Sequence, residues 1–279
     1  MKITYVSDSF IEDMPNGGAE QVDETIIQYL RNNRGIEVIK CRSNEVLDWD
    51  TKQFYIISNF WNLGSASRFK MKYCKYILIE HDYKWCTTRN PSNWKDNLVP
   101  DSSKVFLDIY QYAKAVLLQT DFHLEVFSRN KIPGNLLSLD GSIWNDADLD
   151  EISQIRDVWY LKNPIATIYQ SDNPIKNTAG AIKCCEELKF VYELIPNQSS
   201  RGEFLYKLAG NSMLVFLPRS PETMSRLAVE AKMLGCMVLT SPTYGASTAA
   251  WWDKSGHALI NYMRKQSQVN LELIERLIQ

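Results

Sequence analysis

The chain has 279 residues, 45% of them hydrophobic, and its 31 Lys and Arg against 33 Asp and Glu leave a formal charge of −2. That length and apolar content favour two medium cores over one and exclude a disordered chain, and the balanced charge removes the global field that would make nucleic acid the default partner. No apolar run approaches the roughly 20 residues that cross a bilayer, and residues 1–10 read as a strand already polar at Ser7 and Asp8, so a cytoplasmic protein without a transmembrane segment is expected. Peripheral membrane contact stays compatible with this.

In chain order, short apolar runs alternate with polar or amphipathic segments: KITYVS, a helical pattern over 19–32, then IEVIK, QFYIIS, KYILIE, AVLLQ and NLLSL. Such alternation predicts a parallel sheet wrapped by helices. Thr120 and Asp121 offer a helix start, followed by apolar positions at Phe122, Val126 and Phe127. After Leu139 the rhythm breaks at the acidic span NDADLDEISQIRDVWYLKN, read as a helix leading from one domain into another. It then restarts: PIATIYQ, a helix over 177–188, FVYELI, a helix around 202–209, MLVFLP, a helix opening at Glu222, and the strand CMVLT after a stop at Gly235. The last segment, QVNLELIERLIQ, places Val269, Leu273, Ile274, Leu277 and Ile278 on one side of a helix, for which the seam between domains is one docking place. The expected class is α/β, with an acceptor-side domain at 1–160, a donor-side domain at 161–264 and a closing helix at 265–279.

Cys41, Cys74, Cys86, Cys184, Cys185 and Cys236 are scattered through a chain large enough to fold without staples, so reduced thiols are expected. His81, His123 and His257 are the only histidines, and no zinc or redox spacing links them to the cysteines. A metal site is not expected.

In open α/β sheets the ligand sits beyond the carboxyl ends of the strands, so the loops after strands carry the candidate chemistry. In SDSFIEDMPNGGAE, Gly17 and Gly18 allow close backbone approach and precede a helix whose first amides can face an anion, or they simply turn the chain. Neither a three-glycine dinucleotide fingerprint nor a phosphate loop ending in Gly-Lys-Ser/Thr is present, which removes the usual support for hydride transfer and nucleotide hydrolysis. After KYILIE stand His81 and Asp82. The histidine can donate to a sugar hydroxyl or a developing charge, and Asp82 can fix its tautomer or take a hydroxyl itself; a surface histidine without a role is the plainer alternative. Lys176 follows a strand at a helix start, where an ammonium can neutralise a leaving diphosphate. Arg219 and Arg226 flank Glu222 and can share that charge or form ordinary ion pairs.

The most distinctive stretch is PETMSRLAVEAKMLGCMVLT at 221–240, in which Glu222 and Glu230 bracket seven residues. If Glu222 opens a helix, the two carboxylates lie about 12 Å apart at ~1.5 Å per residue, close to the reach of a nucleotide sugar. One carboxylate can then take sugar hydroxyls and the other ribose hydroxyls, with the helix amides between them for a diphosphate. Two glutamates on a solvated helix are the commoner use of the same spacing.

These residues resemble the retaining glycosyltransferases of GT-B fold often called glycosyl transferases group 1. The resemblance rests on NGGAE, His81-Asp82, AVLLQTDFHLEVF, Lys176 and above all the Glu222 to Glu230 stretch, and it covers most of the chain. It implies two Rossmann-like domains whose parallel sheets face a central cleft. It further implies metal-independent transfer of a sugar, with retention, from a UDP- or GDP-sugar to a saccharide or glycan hydroxyl, with no cofactor. Glu222 would contact the transferred sugar and Glu230 the ribose. Lys176 and the amides of Met224 to Arg226 would hold the diphosphate, His81 would touch the sugar, and Gly17 and Gly18 would face the cleft. The chain departs from the family at Thr223 and Ser225, where a glycine-rich turn is usual, at Arg226, where an apolar residue is usual, and at Ser171 and Asp172, where many members carry an arginine.

Two further readings stay open: a GT-B module that binds nucleotide or saccharide without transfer, and a phosphosugar epimerase or phosphorylase of similar architecture. The span ELIPNQSS, expected to form the loop over the base, names no base. Trp61, Trp85, Trp94, Trp251 and Trp252 either stack on a saccharide or pack in the core.

Overall fold

The computed structural model describes the chain apart from residues 15–16, 46–47, 197–199 and 242–243. The described residues divide into two compact units, Met1–Ile143 with Gln266–Gln279, and Trp144–Lys265.

The first unit holds β1 (Lys2–Ser7), α1 (Gly18–Arg34), β2 (Glu37–Arg42), β3 (Phe54–Ile57), α2 (Ser65–Met71), β4 (Lys75–Glu80), α3 (Leu107–Gln111), β5 (Ala115–Leu118), α4 (Asp121–Arg129) and β6 (Leu136–Ser138). Its six strands are parallel, in the order β2-β1-β3-β4-β5-β6. Strand alternation sorts the apolar residues into two layers: Tyr55, Ile57, Tyr76, Leu78, Val116 and Leu118 share one cluster with Met71, Ile109 and Phe127. Their neighbours Phe54, Ile56, Ile77, Ile79, Ala115 and Leu117 share the other with Val22, Ile26 and Ile27 of α1. Both faces are covered, which is why these strands read as unbroken apolar runs.

The second unit holds α5 (Asp146–Val158), β7 (Asn163–Gln170), α6 (Thr178–Leu188), β8 (Tyr192–Pro196), α7 (Arg201–Gly210), β9 (Asn211–Phe216), α8 (Arg226–Met233) and β10 (Met237–Thr240). Its four parallel strands run β10-β9-β7-β8. Helix α9 (Gly256–Ile278) starts here, with Leu259, Ile260 and Met263 in this unit's core, and ends in the first unit, where Leu271, Ile274 and Ile278 join the α1 layer.

Three boundaries differ from the sequence expectation. The units divide at Ile143 and Trp144, not at 160, because Leu149 and Ile152 of α5 are buried with Leu205 and Leu208 of α7 and Val229 of α8. The closing helix begins at Gly256 rather than 265, and Val269, expected on its apolar side, is exposed. Helix α8 begins at Arg226, not at Glu222, because Ser225 takes φ 63° and ψ 96° and interrupts the helical path. Of ELIPNQSS at 193–200, residues 197–199 lie outside the described residues. Of the tryptophans, Trp85 and Trp251 are core residues and cannot offer a face to a ligand.

Candidate active site

Each sheet has one point where the strand order reverses, and there the loops at the carboxyl ends diverge and leave a crevice. In the first unit this point lies between β1 and β3, in the second between β7 and β9. The sequence candidates collect around these two points.

In the first unit, Asp23 on α1 is fully buried. Its Oδ1 accepts from the Tyr5 hydroxyl at 2.8 Å and its Oδ2 from Ser7 Oγ at 3.1 Å. His81, just past β4, turns Nε2 toward Asp23 Oδ1 at 3.3 Å and toward Ser58 Oγ at 2.9 Å. The amide of Gln119, past β5, stands 3.4 Å from Nδ1 and also donates to Glu80 O at 3.1 Å. An amide donor at Nδ1 leaves the ring proton on Nε2, facing Asp23. Two strand ends and one helix therefore contact the imidazole, and β1 holds the Asp23 that faces it.

Asp82 does not fix that tautomer, and this corrects the sequence expectation. Its carboxylate is taken by Lys84 Nζ at 2.9 Å and Arg89 Nε at 2.8 Å, with Arg89 Nη2 closer still. Burial would raise the Asp82 pKa, but Lys84 and Arg89 outweigh it and hold the group well below the usual carboxylate range. Behind it, Lys84 is fully buried and donates to Glu80 Oε1 at 2.7 Å, while Tyr110 donates to Glu80 Oε2 at 2.5 Å. His123, also buried, places Nε2 2.8 Å from Asp82 O, and burial pushes its pKa from 6.5 to about 3. This cluster supports the His81 loop from beneath.

Gly17 is the residue before α1 and Gly18 its first residue. A Cβ at Gly17 would meet the end of the flexible Glu20 side chain, which can swing aside, and would approach Met14 O to 3.3 Å. Glu20, whose Oε1 accepts from Ser9 at 2.6 Å, already sits against the positive end of the helix.

In the second unit, β7 and β9 are adjacent, so the loops that follow them meet. The turn Pro174–Lys176 is capped by Asn173, and Arg219 N donates back to Ile175 O at 2.8 Å while Asn177 Nδ2 donates to Leu217 O at 2.8 Å. Across this seam Lys176 Nζ lies 2.7 Å from Glu222 Oε1, with the two side chains 30% and 14% exposed. Gly245 N donates to Glu222 O at 2.8 Å, and the buried Tyr244 hydroxyl donates to Ser225 O at 3.0 Å. Thr223 and Met224 are buried and Arg219 is exposed.

Glu230 is buried on α8, with Oε1 2.8 Å from Arg201 Nη1 and 3.7 Å from Arg226 Nε. Arg226 lies flat on Trp144, 3.8 Å from the ring centroid, and 3.5 Å from Asp148 Oδ2. Burial lowers its pKa to about 10, against the opposing pull of Glu230. The structure thus joins Lys176 to Glu222 and Arg226 to Glu230, and it places these two pairs on either side of Ser225. Among the described residues, no group of three or more His, Cys, Asp or Glu converges as a metal site would require, and no helix is long and apolar enough to cross a membrane.

No protein-family model and no curated protein sequence matches the chain. Solved structures do. The Anabaena protein HepE in complex with UDP and glucose superposes with a TM-score of 0.53 at 12% identity, over 100% of this chain and 92% of that one. The E. coli trehalose-6-phosphate protein bound with UDP-2-fluoro glucose gives 0.62 at 8% identity, over 100% and 99%. The sucrose-phosphate synthase of Thermosynechococcus elongatus gives 0.56 at 10% identity, over 100% and 95%. The fold is GT-B. At these identities the likeness speaks for architecture alone, two Rossmann-like α/β units with parallel sheets, and the chemistry of this GT-B chain has to be argued from its own residues.

Asp23, Arg201 and the Glu80-Lys84 pair escaped the sequence reading. Asp23 carried a signal: it sits on the α1 stripe of Ile26, Ile27 and Leu30, where a carboxylate has no place unless it is bonded. Arg201 carried none, because its partner is 29 residues away on another helix.

Proposed function

We propose that the protein is a glycosyltransferase that moves a sugar from a nucleoside diphosphate sugar to an acceptor hydroxyl, with retention at the anomeric carbon and without a metal ion. The Lys176-Glu222 pair at the β7/β9 switch point carries this reading, its Nζ and Oε1 2.7 Å apart at the one place in the sheet where strand order opens a crevice. An ammonium has three donors. One is committed to Glu222, and the other two are available to the oxygens of a leaving diphosphate. The second carboxylate oxygen of Glu222 remains for a hydroxyl of the transferred sugar.

As the bond from the anomeric carbon to the diphosphate breaks, the diphosphate oxygen takes the acceptor's proton, and the new glycosidic bond forms on the same face. No protein nucleophile is required. The protein supplies positioning and charge stabilisation: Lys176 for the phosphates, with Arg219 and the backbone around Thr223, Met224 and Ser225 as further donors, and Glu230 for the ribose hydroxyls. Arg226 acts through Glu230 and not on the phosphate. On the first unit, His81 is assigned to a sugar hydroxyl and the Gly17-Gly18 turn to the acceptor. HepE and the E. coli protein hold UDP with glucose or a glucose analogue, so UDP-glucose is the first donor to try and GDP-sugars the second. The acceptor is a saccharide or glycan, and the setting is cytoplasmic.

The test is nucleoside diphosphate release from UDP-, GDP- and ADP-sugars in EDTA with a broad acceptor mixture, followed by NMR of the product's anomeric configuration. Release that survives EDTA and yields a retained linkage supports the reading; an inverted product overturns the mechanism. A second reading, a GT-B module that binds without transfer, draws on Ser225 at φ 63°, which takes Glu222 off the helix. Tight nucleotide binding with no release under any acceptor would favour it.

A further inference from the structure

Resting on the donor-site reading above, we infer that Arg201 is the positioning residue for Glu230: it fixes the carboxylate by one oxygen so that the other is presented to the vicinal hydroxyls of the ribose. Both cationic contacts to Glu230 converge on Oε1, from Arg201 Nη1 at 2.8 Å and Arg226 Nε at 3.7 Å. Oε2 has no hydrogen-bond or ion-pair partner among the described residues, although the side chain is only 6% exposed. A carboxylate nearly withdrawn from water with one oxygen unspent is costly unless that oxygen meets a donor in the working state.

Arg201 is itself built for the task. It is the first residue of α7, where the chain returns from β8 at the carboxyl edge of the sheet. Its Nη2 stands 3.9 Å from Asp148 Oδ2, which also faces Arg226 Nη2 at 3.5 Å, so two guanidinium groups and two carboxylates alternate across α5, α7 and α8. Arg201 Nε and Nη2 are buried without a hydrogen bond, so the bond from Nη1 to Glu230 Oε1 is the one hydrogen bond the guanidinium makes among the described residues. Glu230 Oε2 is left as an acceptor, and a hydroxyl can donate to it. The pair therefore reads the sugar of the nucleotide, and discrimination between ribose and deoxyribose depends on Arg201 as much as on Glu230.

The experiment is titration calorimetry of the whole chain with UDP and GDP and with their 2′,3′-dideoxy forms, in wild type, Arg201→Met, Arg201→Lys and Glu230→Gln. Wild type should prefer the ribonucleotide by about tenfold or more, the scale of a hydrogen bond to a charged group. Arg201→Met should reduce the preference to about twofold or less, Arg201→Lys should restore part of it, and Arg201→Met with Glu230→Gln should fall no further than either alone. Near-UV circular dichroism shows whether each variant is folded, and Arg201→Lys serves if Arg201→Met is not. An unchanged ribose preference in folded Arg201→Met overturns the inference and leaves the donor-site reading standing. Failure of wild type to bind either nucleotide overturns both.

Discussion

Lys176→Met tests the centre of the proposed chemistry. In the resting protein the substitution removes a contact of 2.7 Å between groups 30% and 14% exposed. Two unit charges at that distance attract by about 6 kcal/mol at an effective dielectric constant near 20, but partial exposure and desolvation leave a net coupling of about 1 kcal/mol. The folded protein should therefore lose only about 1 kcal/mol of stability. The reaction should lose far more, because the leaving diphosphate develops charge where the ammonium stood, and removing one such donor costs about 10²–10³ in kcat. The two scales can be separated: chemical denaturation gives the first, and nucleoside diphosphate release from the best donor at saturation gives the second. Glu222→Gln keeps the size of the side chain and frees the ammonium, so its kcat loss combined with that of Lys176→Met should be smaller than additive. A folded Lys176→Met enzyme working within about threefold of wild type would refute the assignment of Lys176 to the leaving group.

Burial pushes the His123 pKa from 6.5 to about 3, so the unfolded chain takes up a proton below pH 6.5 that the folded chain refuses until about pH 3. Its contribution to stability is complete above 6.5 and is lost as the pH falls through that window, by about 1.4 kcal/mol per pH unit at the steepest. Urea midpoints between pH 4 and 7 should show this slope in wild type and a shallower one in His123→Gln; equal slopes would remove His123 as the cause. Lys84→Met leaves Glu80 fully buried beside Asp82 without its cation and should cost about 3–5 kcal/mol, with part of the loss recovered by adding Glu80→Gln; thermal unfolding of the single and double variants is the measure. Ser225→Gly relieves a side chain held at φ 63° and should raise stability by up to about 1 kcal/mol, and a loss on denaturant titration would show that the serine side chain is needed there.

The central strands of the first sheet were legible because they are buried on both faces and so appear as apolar runs: FYII of β3 and AVLL of β5 have no exposed residue. Lys176 and Glu222 were legible as loop residues, but their pairing was not, since it depends on β7 lying beside β9, a neighbour relation that skips β8. The start of α8 was misplaced for a local reason. Pro221 followed by Glu222 is a good helix opening by composition, yet the chain spends four more residues in a loop anchored by Gly245 on Glu222 O and by Tyr244 on Ser225 O. Those anchors come from beyond β10, and no window around Glu222 contains them.

That misplacement changes how the two glutamates work. On one continuous helix they would have been a ruler, with the amides between them as the phosphate cradle. With the break at Ser225 they belong to different bodies of structure: Glu222 rides on a loop fastened to the turn after β7, while Glu230 is fixed into the α5, α7 and α8 layer by Arg201 and Arg226. Under the proposed donor site, ribose recognition falls to that helical layer and sugar recognition to the loop. Substitutions at Glu230 or Arg201 should act on nucleotide affinity, and substitutions at Glu222 or Lys176 on turnover, a division that a single helix carrying both carboxylates would not produce.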